Sequence, residues 1–303
     1  MDVEIVKSNG QKFRLSDYGV VQDFVVNSID RSVTRESVDG RKGSVDYGTN
    51  IGDRSISVPM IFKASDLHDY AHLRDELFGI LDDDEPFYIR EMRRKEYLQY
   101  EFVDFGQSPT WSNGVENEYV NGKQYKVRLD SSISPEQWDD KPNGDITIEF
   151  VTSGLPFAES IYTTLELHDS GYSATAEKYG LVDNIDDEKV KYRFTENNFT
   201  VYNAGNVMVE PENMMLYIRA SLLDSTGNFT IRNKTTGEEI ILNRSSAGSH
   251  FTIDGMVISL GGIANIFRDT NRRFISLVPG DNQFEILNGT FEEIRFEFKY
   301  LYK

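Results

Sequence analysis

Ile56, Val58, Met60 and Phe62 alternate with Ser55, Ser57 and Pro59. That period of two fits a half-buried β-strand, because successive strand side chains leave opposite faces. Pro59 has no N–H to give to a ladder, so the pattern predicts an edge strand or a bulge there. The same alternation recurs at Leu98, Tyr100 and Phe102, at Tyr125, Val127 and Leu129, and at Ile146, Ile148 and Phe150. Beyond about Tyr192 it continues as short strands at 199–202, 215–218, 229–231, 240–242, 251–253, 256–260, 274–278, 284–287 and 294–302. Asp254-Gly255 and Asn288-Gly289 suit tight hairpins that need positive φ. Many short strands at this spacing predict a sandwich, most simply a jelly roll.

One helix interrupts the first half. Ser65 is the expected N-cap, with Asp66 and Asp69 in the first turn, where the helix dipole favours anions. Leu67, Ala71, Phe78 and Leu81, flanked by Tyr70, Leu73 and Leu77, supply the apolar stripe. Pro86 ends it. A strand closing at Ser153-Gly154 places a domain boundary near Leu155-Pro156. The expected organisation is therefore an N-terminal domain over 1–155 and a C-terminal sandwich over 156–303, with a weakly patterned connector over about 156–191.

The net charge of −18 is shared between the halves, −11 before residue 156 and −7 after it. Such a chain repels phosphate backbones and anionic headgroups, which argues against general nucleic-acid or membrane-surface binding. The 19 Phe, 16 Tyr and 2 Trp are too many for a disordered chain. Absence of cysteine removes disulfides, thiolate metal sites and cysteine nucleophiles together. The N-terminus, Met1-Asp2-Val3-Glu4-Ile5-Val6-Lys7, has no apolar leader. No apolar run reaches the ~18 residues of a membrane span. Synthesis in a cytoplasm is the expectation, and five Asn-x-Ser/Thr triplets, from Asn198 to Asn288, read as turn and strand chemistry.

Catalytic signals are sparse. His68 and His72 are four apart on the helix, but Asp69 stands where a zinc protease carries its glutamate, one methylene short of reaching metal-bound water. Asp139-Asp140, Glu292-Glu293 and Glu91 with Glu96 are nominal carboxylate pairs, and adjacent strand residues point to opposite faces. The acidic stretch Asp183, Asp186, Asp187 and Glu188 lacks the ligand spacing and glycine of an EF-hand loop. No nucleophile elbow, phosphate-binding loop or dinucleotide fingerprint occurs. No catalytic residue, cofactor or metal ligand is assigned. Trp111 and Trp138 lie in polar, turn-rich segments and are candidate subunit-interface residues, since an exposed indole buries much apolar area at little entropic cost. The alternative for each is a ring that folds back on its own loop. Residues 104–123 are expected to form an extended hairpin or loop at a subunit contact.

An ordered series of motifs then resembles a known family. Val38-Asp39-Gly40-Arg41-Lys42-Gly43 resembles a V-x-G-R-x-G loop, followed by Ile56-Ser57-Val58-Pro59-Met60, by Leu73-Arg74-Asp75-Glu76-Leu77, and by Glu85-Pro86-Phe87-Tyr88-Ile89. Ile146–Phe150 leading to Pro156-Phe157-Ala158 is similar to an I-x-F-x-C-x-x-P-Y-A ending, with Val151 or Thr152 where cysteine often stands. Val201–Asn206 and Val278–Asn282 match the start and the late turn of a C-terminal sandwich. The series resembles the distal tail proteins of long-tailed, non-contractile bacteriophages, in particular those infecting Gram-positive hosts. The resemblance implies a mainly β fold: an N-terminal split β-barrel with one α-helix, and a C-terminal antiparallel β-sandwich of galectin or carbohydrate-module type. It implies a virion protein at the tail tip or baseplate, a hexameric ring joining the tail tube to the tip and receptor-binding apparatus. The partners implied are further copies of the chain, the major tail protein, a tail-associated lysin or tip protein, and receptor-binding proteins. DNA would meet it only in passage through the lumen, which excess carboxylate would keep from sticking. Arg41, in the first motif, joins Trp111 and Trp138 as a candidate subunit-interface residue.

Two competing classes make distinct predictions. A carbohydrate-binding protein using the sandwich needs aromatic platforms, for which Tyr202 and Tyr217 are the candidates. A β-rich hydrolase needs convergent acid and base groups, which the sequence does not assemble.

Overall fold

A computed structural model describes residues 1–98, 113–119, 122–170 and 185–303. The chain divides into two compact units, Met1–Ala158 and Glu159–Lys303. No helix among the described residues is long and apolar enough to cross a membrane.

The first unit begins with β1 (Asp2–Val6), β2 (Lys12–Arg14), β3 (Gly19–Val21) and β4 (Val25–Val26). A hairpin of β5 (Arg31–Ser37) and β6 (Ser44–Ile51) follows, then β7 (Ser55–Lys63) and α1 (Asp69–Leu81). β8 (Phe87–Leu98), β9 (Asn113–Tyr119), β10 (Lys123–Leu129), β11 (Glu136–Gln137) and β12 (Asn143–Thr152) complete it. The main sheet runs β2-β1-β8-β10-β12-β7-β3, all antiparallel, and its two end strands do not pair with each other. The barrel is thus split. Ile56, Val58, Met60 and Phe62 are fully buried, as their alternation requires, and pack with Ile89, Ile148, Phe150 and the helix residues Leu77 and Leu81.

Two expectations need correction here. β7 is an interior strand, neither edge nor bulge: it pairs with β12 along its length and with β3 and β4 on its other side. Pro59 is tolerated because its nitrogen faces the interruption between β3 and β4, where only its carbonyl is used, by the Gln22 N–H at 2.9 Å. The helix is capped by Asp66 rather than Ser65, for the Asp66 carboxylate accepts the N–H groups of His68 and Asp69, each at 2.8 Å. The Ser65 N–H in turn donates to Asp69 at 3.0 Å. Tyr70, Leu77, Ile80 and Leu81 form the buried stripe, while Leu67 and Ala71 are exposed. At the helix C-terminus the Asp82–Glu85 run opposes the dipole, and Lys7 offsets it by binding Asp83 at 2.8 Å.

The second unit opens within β13 (Ala158–Ser160), followed by α2 (Thr164–Ser170), so the expected connector holds a helix the sequence pattern did not reveal. Its strands are β14 (Arg193–Phe194), β15 (Asn198–Asn203), β16 (Leu216–Leu223), β17 (Phe229–Asn233) and β18 (Glu238–Leu242). They continue with β19 (Ser249–Asp254), β20 (Val257–Leu260), β21 (Ile263–Ala264), β22 (Gly280–Leu287), β23 (Glu293–Phe298) and β24 (Leu301–Tyr302). Two antiparallel sheets result, β14-β23-β16-β19-β20-β21 and β15-β22-β17-β18. Inward Phe229, Phe251, Phe284, Phe296 and Phe298 fill the space between them, with rings of Phe229 and Phe251 edge to face at 5.9 Å.

Asp254-Gly255 makes the expected hairpin between β19 and β20. Asn288-Gly289 does not: β22 and β23 lie in different sheets, so that turn carries the chain from one layer to the other. Residues 274–278 are not a strand. The Ser276 N–H and hydroxyl bind the Glu238 carboxylate at 2.7 and 2.5 Å, and a side chain thereby replaces a ladder partner. The last expected strand breaks at Lys299-Tyr300, although Phe296, Phe298, Tyr300 and Tyr302 all stay buried. The Tyr300 hydroxyl there hydrogen-bonds that of Tyr192.

Candidate subunit interface

The β5–β6 hairpin is a two-stranded sheet that, among the described residues, pairs with no other strand. Chain register runs from Arg31 opposite Ile51 to Ser37 opposite Ser44, with a bulge on β6 at Tyr47. Every residue of β5 is exposed, and in β6 only Val45 is half-buried. Eight residues at ~3.3 Å each give an arm of about 25 Å. Two-stranded hairpins are marginal alone, and both edges of this one offer unpaired N–H and C=O groups. Its base is held by the Asp30 N–H to the Asp53 carbonyl at 2.9 Å and the Gly52 N–H to the Asp30 carbonyl at 2.8 Å. Val33, Tyr47 and Ile51 are left in water at 43%, 62% and 55% exposure. Directly opposed residues share a face, so Val33 and Ile51 lie on the same side of the arm.

Arg41 stands at its tip, exposed. Gly40 at φ +81° and Gly43 at φ +92° reverse the chain there, and the Arg41 N–H closes the turn on the Val38 carbonyl at 3.0 Å. Sequence reasoning reached Arg41 but not Val33, Tyr47 or Ile51. Too few apolar residues fall in 31–51 to produce an alternating pattern, and the useful signal was the glycine-bounded turn with β-branched residues on both sides.

Trp138 is half-buried in the turn between β11 and β12. Its indole N–H donates to Asp145 at 2.7 Å, its backbone N–H binds the Asn143 carbonyl at 2.9 Å, and the Lys141 ammonium sits 5.8 Å from the ring centre. The ring is thus tied to its own turn. Trp111 lies outside the described residues. β8 and β9 pair from Met92 with Tyr119 to Leu98 with Asn113, and most of the segment expected at a subunit contact, residues 104–123, lies outside the described residues. Tyr100 and Phe102 also lie outside the described residues.

The other sequence candidates do not converge. His68 and His72 are exposed, their rings edge to face at 5.5 Å. Among the described residues no group of three or more histidines and carboxylates could hold a metal ion. Burial pushes the Glu91 carboxyl up despite the Arg93 guanidinium at 2.6 Å. Glu293 is engaged by Arg193 at 3.0 Å, and Asp183 lies outside the described residues. Tyr202 lines a cleft of about 510 Å³ with Phe194 and Phe199, but the Lys189 ammonium covers its ring at 4.9 Å. The Arg295 guanidinium stands 5.6 Å from the Tyr217 ring. Neither tyrosine is the bare platform that stacking on a sugar requires.

Comparison with known proteins agrees with this architecture. Residues 8–152 match the family model described as phage tail protein RIFT-related domain. The crystal structure of the phage SPP1 distal tail protein, described as a paradigm of the hub adsorption apparatus in phages infecting Gram-positive hosts, superposes with a TM-score of 0.63 at 14% identity. That match covers 98% of this chain and 99% of the other. The phage p2 baseplate in its strontium-activated form matches at a TM-score of 0.42 and 10% identity, over 98% of this chain and 97% of that one. No curated protein matches in sequence. Residues 8–152 are thus similar to the phage tail RIFT-related family, and the chain has the fold of a siphophage distal tail protein.

Proposed function

We propose that this chain is a structural hub of a long phage tail, acting by assembly rather than catalysis. Copies close head to tail into a ring, six by analogy with the family, between the tail tube and the tip. The observation that carries the reading is the β5–β6 arm, an exposed hairpin with apolar side chains and two open edges that a neighbouring copy would cover. A heterologous contact of this kind forms a closed ring when its rotation closes. Arg41 at the arm tip reaches a carboxylate of the next copy, and Trp111 lies at a contact between copies, whereas Trp138 serves its own turn. Above the ring stands the major tail protein and below it the lysin or tip protein, with receptor-binding proteins at the side. Made in the host cytoplasm, it resides in the virion at the tail tip, and DNA crosses its lumen without a binding site.

The test is direct. The purified chain imaged by negative stain forms rings at high concentration, and gold-labelled antibody marks one end of the tail on intact virions. Label distributed along the tail, or confined to the head, would sink the assignment.

A further inference from the structure

On the outer face of the larger sheet of the second unit, one lateral row reads Arg193, Arg295, Arg219, Thr252 across β14, β23, β16 and β19. Directly opposed side chains come within ~5 Å, and like charges so placed are destabilising. The other sheet shows the ordinary solution. Arg232 lies between Glu239 and Glu285 in register and binds them at 2.8 and 3.3 Å. Arg193 is likewise neutralised, by Asp169 at 2.9 Å and Glu293 at 3.0 Å. Arg295 and Arg219 are not: among the described residues neither forms a salt bridge, and the Nε–H of each is buried without an acceptor. Buried polar groups in folded proteins are almost always satisfied, so two orphaned donors side by side point to a missing acceptor.

Tyr217 completes the cluster. It stands two residues from Arg219 on the same face of β16, beside the Arg295 guanidinium. Burial pushes its phenol up, but hydrogen bonding to Arg295 and then to Arg219 outweighs that and holds it below the usual tyrosine value. Along the strands Glu297 and Asp254 lie opposite Tyr217 rather than opposite either arginine, while Glu293, two residues from Arg295, and Asp169, which also feels the Arg295 charge, are both bound by Arg193. The centre of the row therefore concentrates positive charge on a chain of net charge −18.

We propose that Arg219, Arg295 and Tyr217 form a binding site for a phosphate group. Planar guanidiniums recognise oxyanions through paired N–H donors. Two of them on neighbouring strands present more donors than one carboxylate has oxygens to meet, whereas a tetrahedral oxyanion can bridge both and still accept from the phenol. The inference stands apart from ring formation, since the site lies wholly within the second unit.

The probe is inorganic phosphate added to the full chain, with ionic strength held constant by chloride. The midpoint of thermal unfolding should rise with the logarithm of phosphate concentration. In the Arg219→Gln/Arg295→Gln double variant that increment should vanish. The same variant without phosphate should melt no lower than the parent, because a like-charge contact has gone. Arg272→Gln, an exposed arginine outside the row, should respond as the parent does. In arginine-labelled protein the Nε–H resonances of Arg219 and Arg295 should shift on titration. A response to glucose 6-phosphate and dimethyl phosphate as well supports an ester-linked ligand, and a response to inorganic phosphate alone supports the free ion. An increment that survives in the double variant, or Nε–H signals unmoved at saturating phosphate, overturns the proposal.

Discussion

Replacing Val33 and Ile51 by threonine tests the arm at its two in-line apolar positions. Threonine keeps the β-branch that favours a strand, and it is isosteric with valine, so the hairpin itself should persist. Both side chains are about half exposed, at 43% and 55%, and that exposed part is what a neighbouring copy would cover. Full burial of such a side chain is worth ~1.5–3 kcal/mol, so the half still in water contributes about 1 kcal/mol each at a contact. The double variant should lose about 2 kcal/mol per interface, roughly thirtyfold in each association constant. Folding of the single chain should change by no more than about 0.5 kcal/mol, as is usual for exposed positions. Mass photometry or sedimentation velocity over a concentration series reads the first quantity, and urea unfolding the second. An unchanged assembly midpoint in a folded double variant would refute the role given to the arm.

Four further outcomes are expected. Reversing the tip charge with Arg41→Glu should weaken assembly, and the deficit should shrink at high salt as the Debye length falls to about 3 Å at 1 M; an effect that ignores salt would count against a charge contact. In Trp138→Phe the one remaining indole is Trp111, and its emission should move to shorter wavelength on assembly if that residue is buried between copies; unchanged emission removes it from the contact. Gly19→Ala would place a Cβ 2.0 Å from the Ile61 carbonyl oxygen, so it should displace β3 and cost about 3 kcal/mol in denaturant unfolding. The Asp169 carboxyl is held below its ordinary value, chiefly by hydrogen bonding to Arg193. A depressed acid stabilises the fold above its unfolded pKa and loses that stability as pH falls through the folded value, so melting temperature should drop on acidification and Asp169→Asn should flatten the drop.

Much of the fold was legible because burial imposes a period of two on residues that cannot satisfy it by chance. Ile146, Ile148 and Phe150 announce β12 unaided, and the φ > 0 demand at Gly255 announces its hairpin. Failures came where a side chain did what backbone usually does. Glu238 accepts the hydrogen bonds of Ser276 that a neighbouring strand would otherwise take, and Asp66 caps the helix from one position beyond Ser65. Nor does a turn signal say which sheet the next strand joins, which is why Asn288-Gly289 read as a hairpin. The candidate interface was legible only at its tip, since an exposed arm with no core of its own leaves no amphipathic pattern in its sequence.

The arm and the arginine row are departures of the same kind. In the rest of the sandwich sheets local chemistry and fold commonly agree: Arg232 sits between two glutamates, and the apolar side chains alternate inward. Sequences that specify one structure tend to be consistent in this way, and the exceptions tend to fall at functional sites. At the arm the inconsistency is apolar surface without a core, and at the row it is positive charge without a counterion. Each names its own missing complement, an apolar surface with free strand edges in the first case and a compact oxyanion in the second. These complements differ in chemistry and belong to different units. If both proposals hold, a chain that joins copies of itself through one unit would retain, on the other, a separate surface with which to recognise an oxyanion.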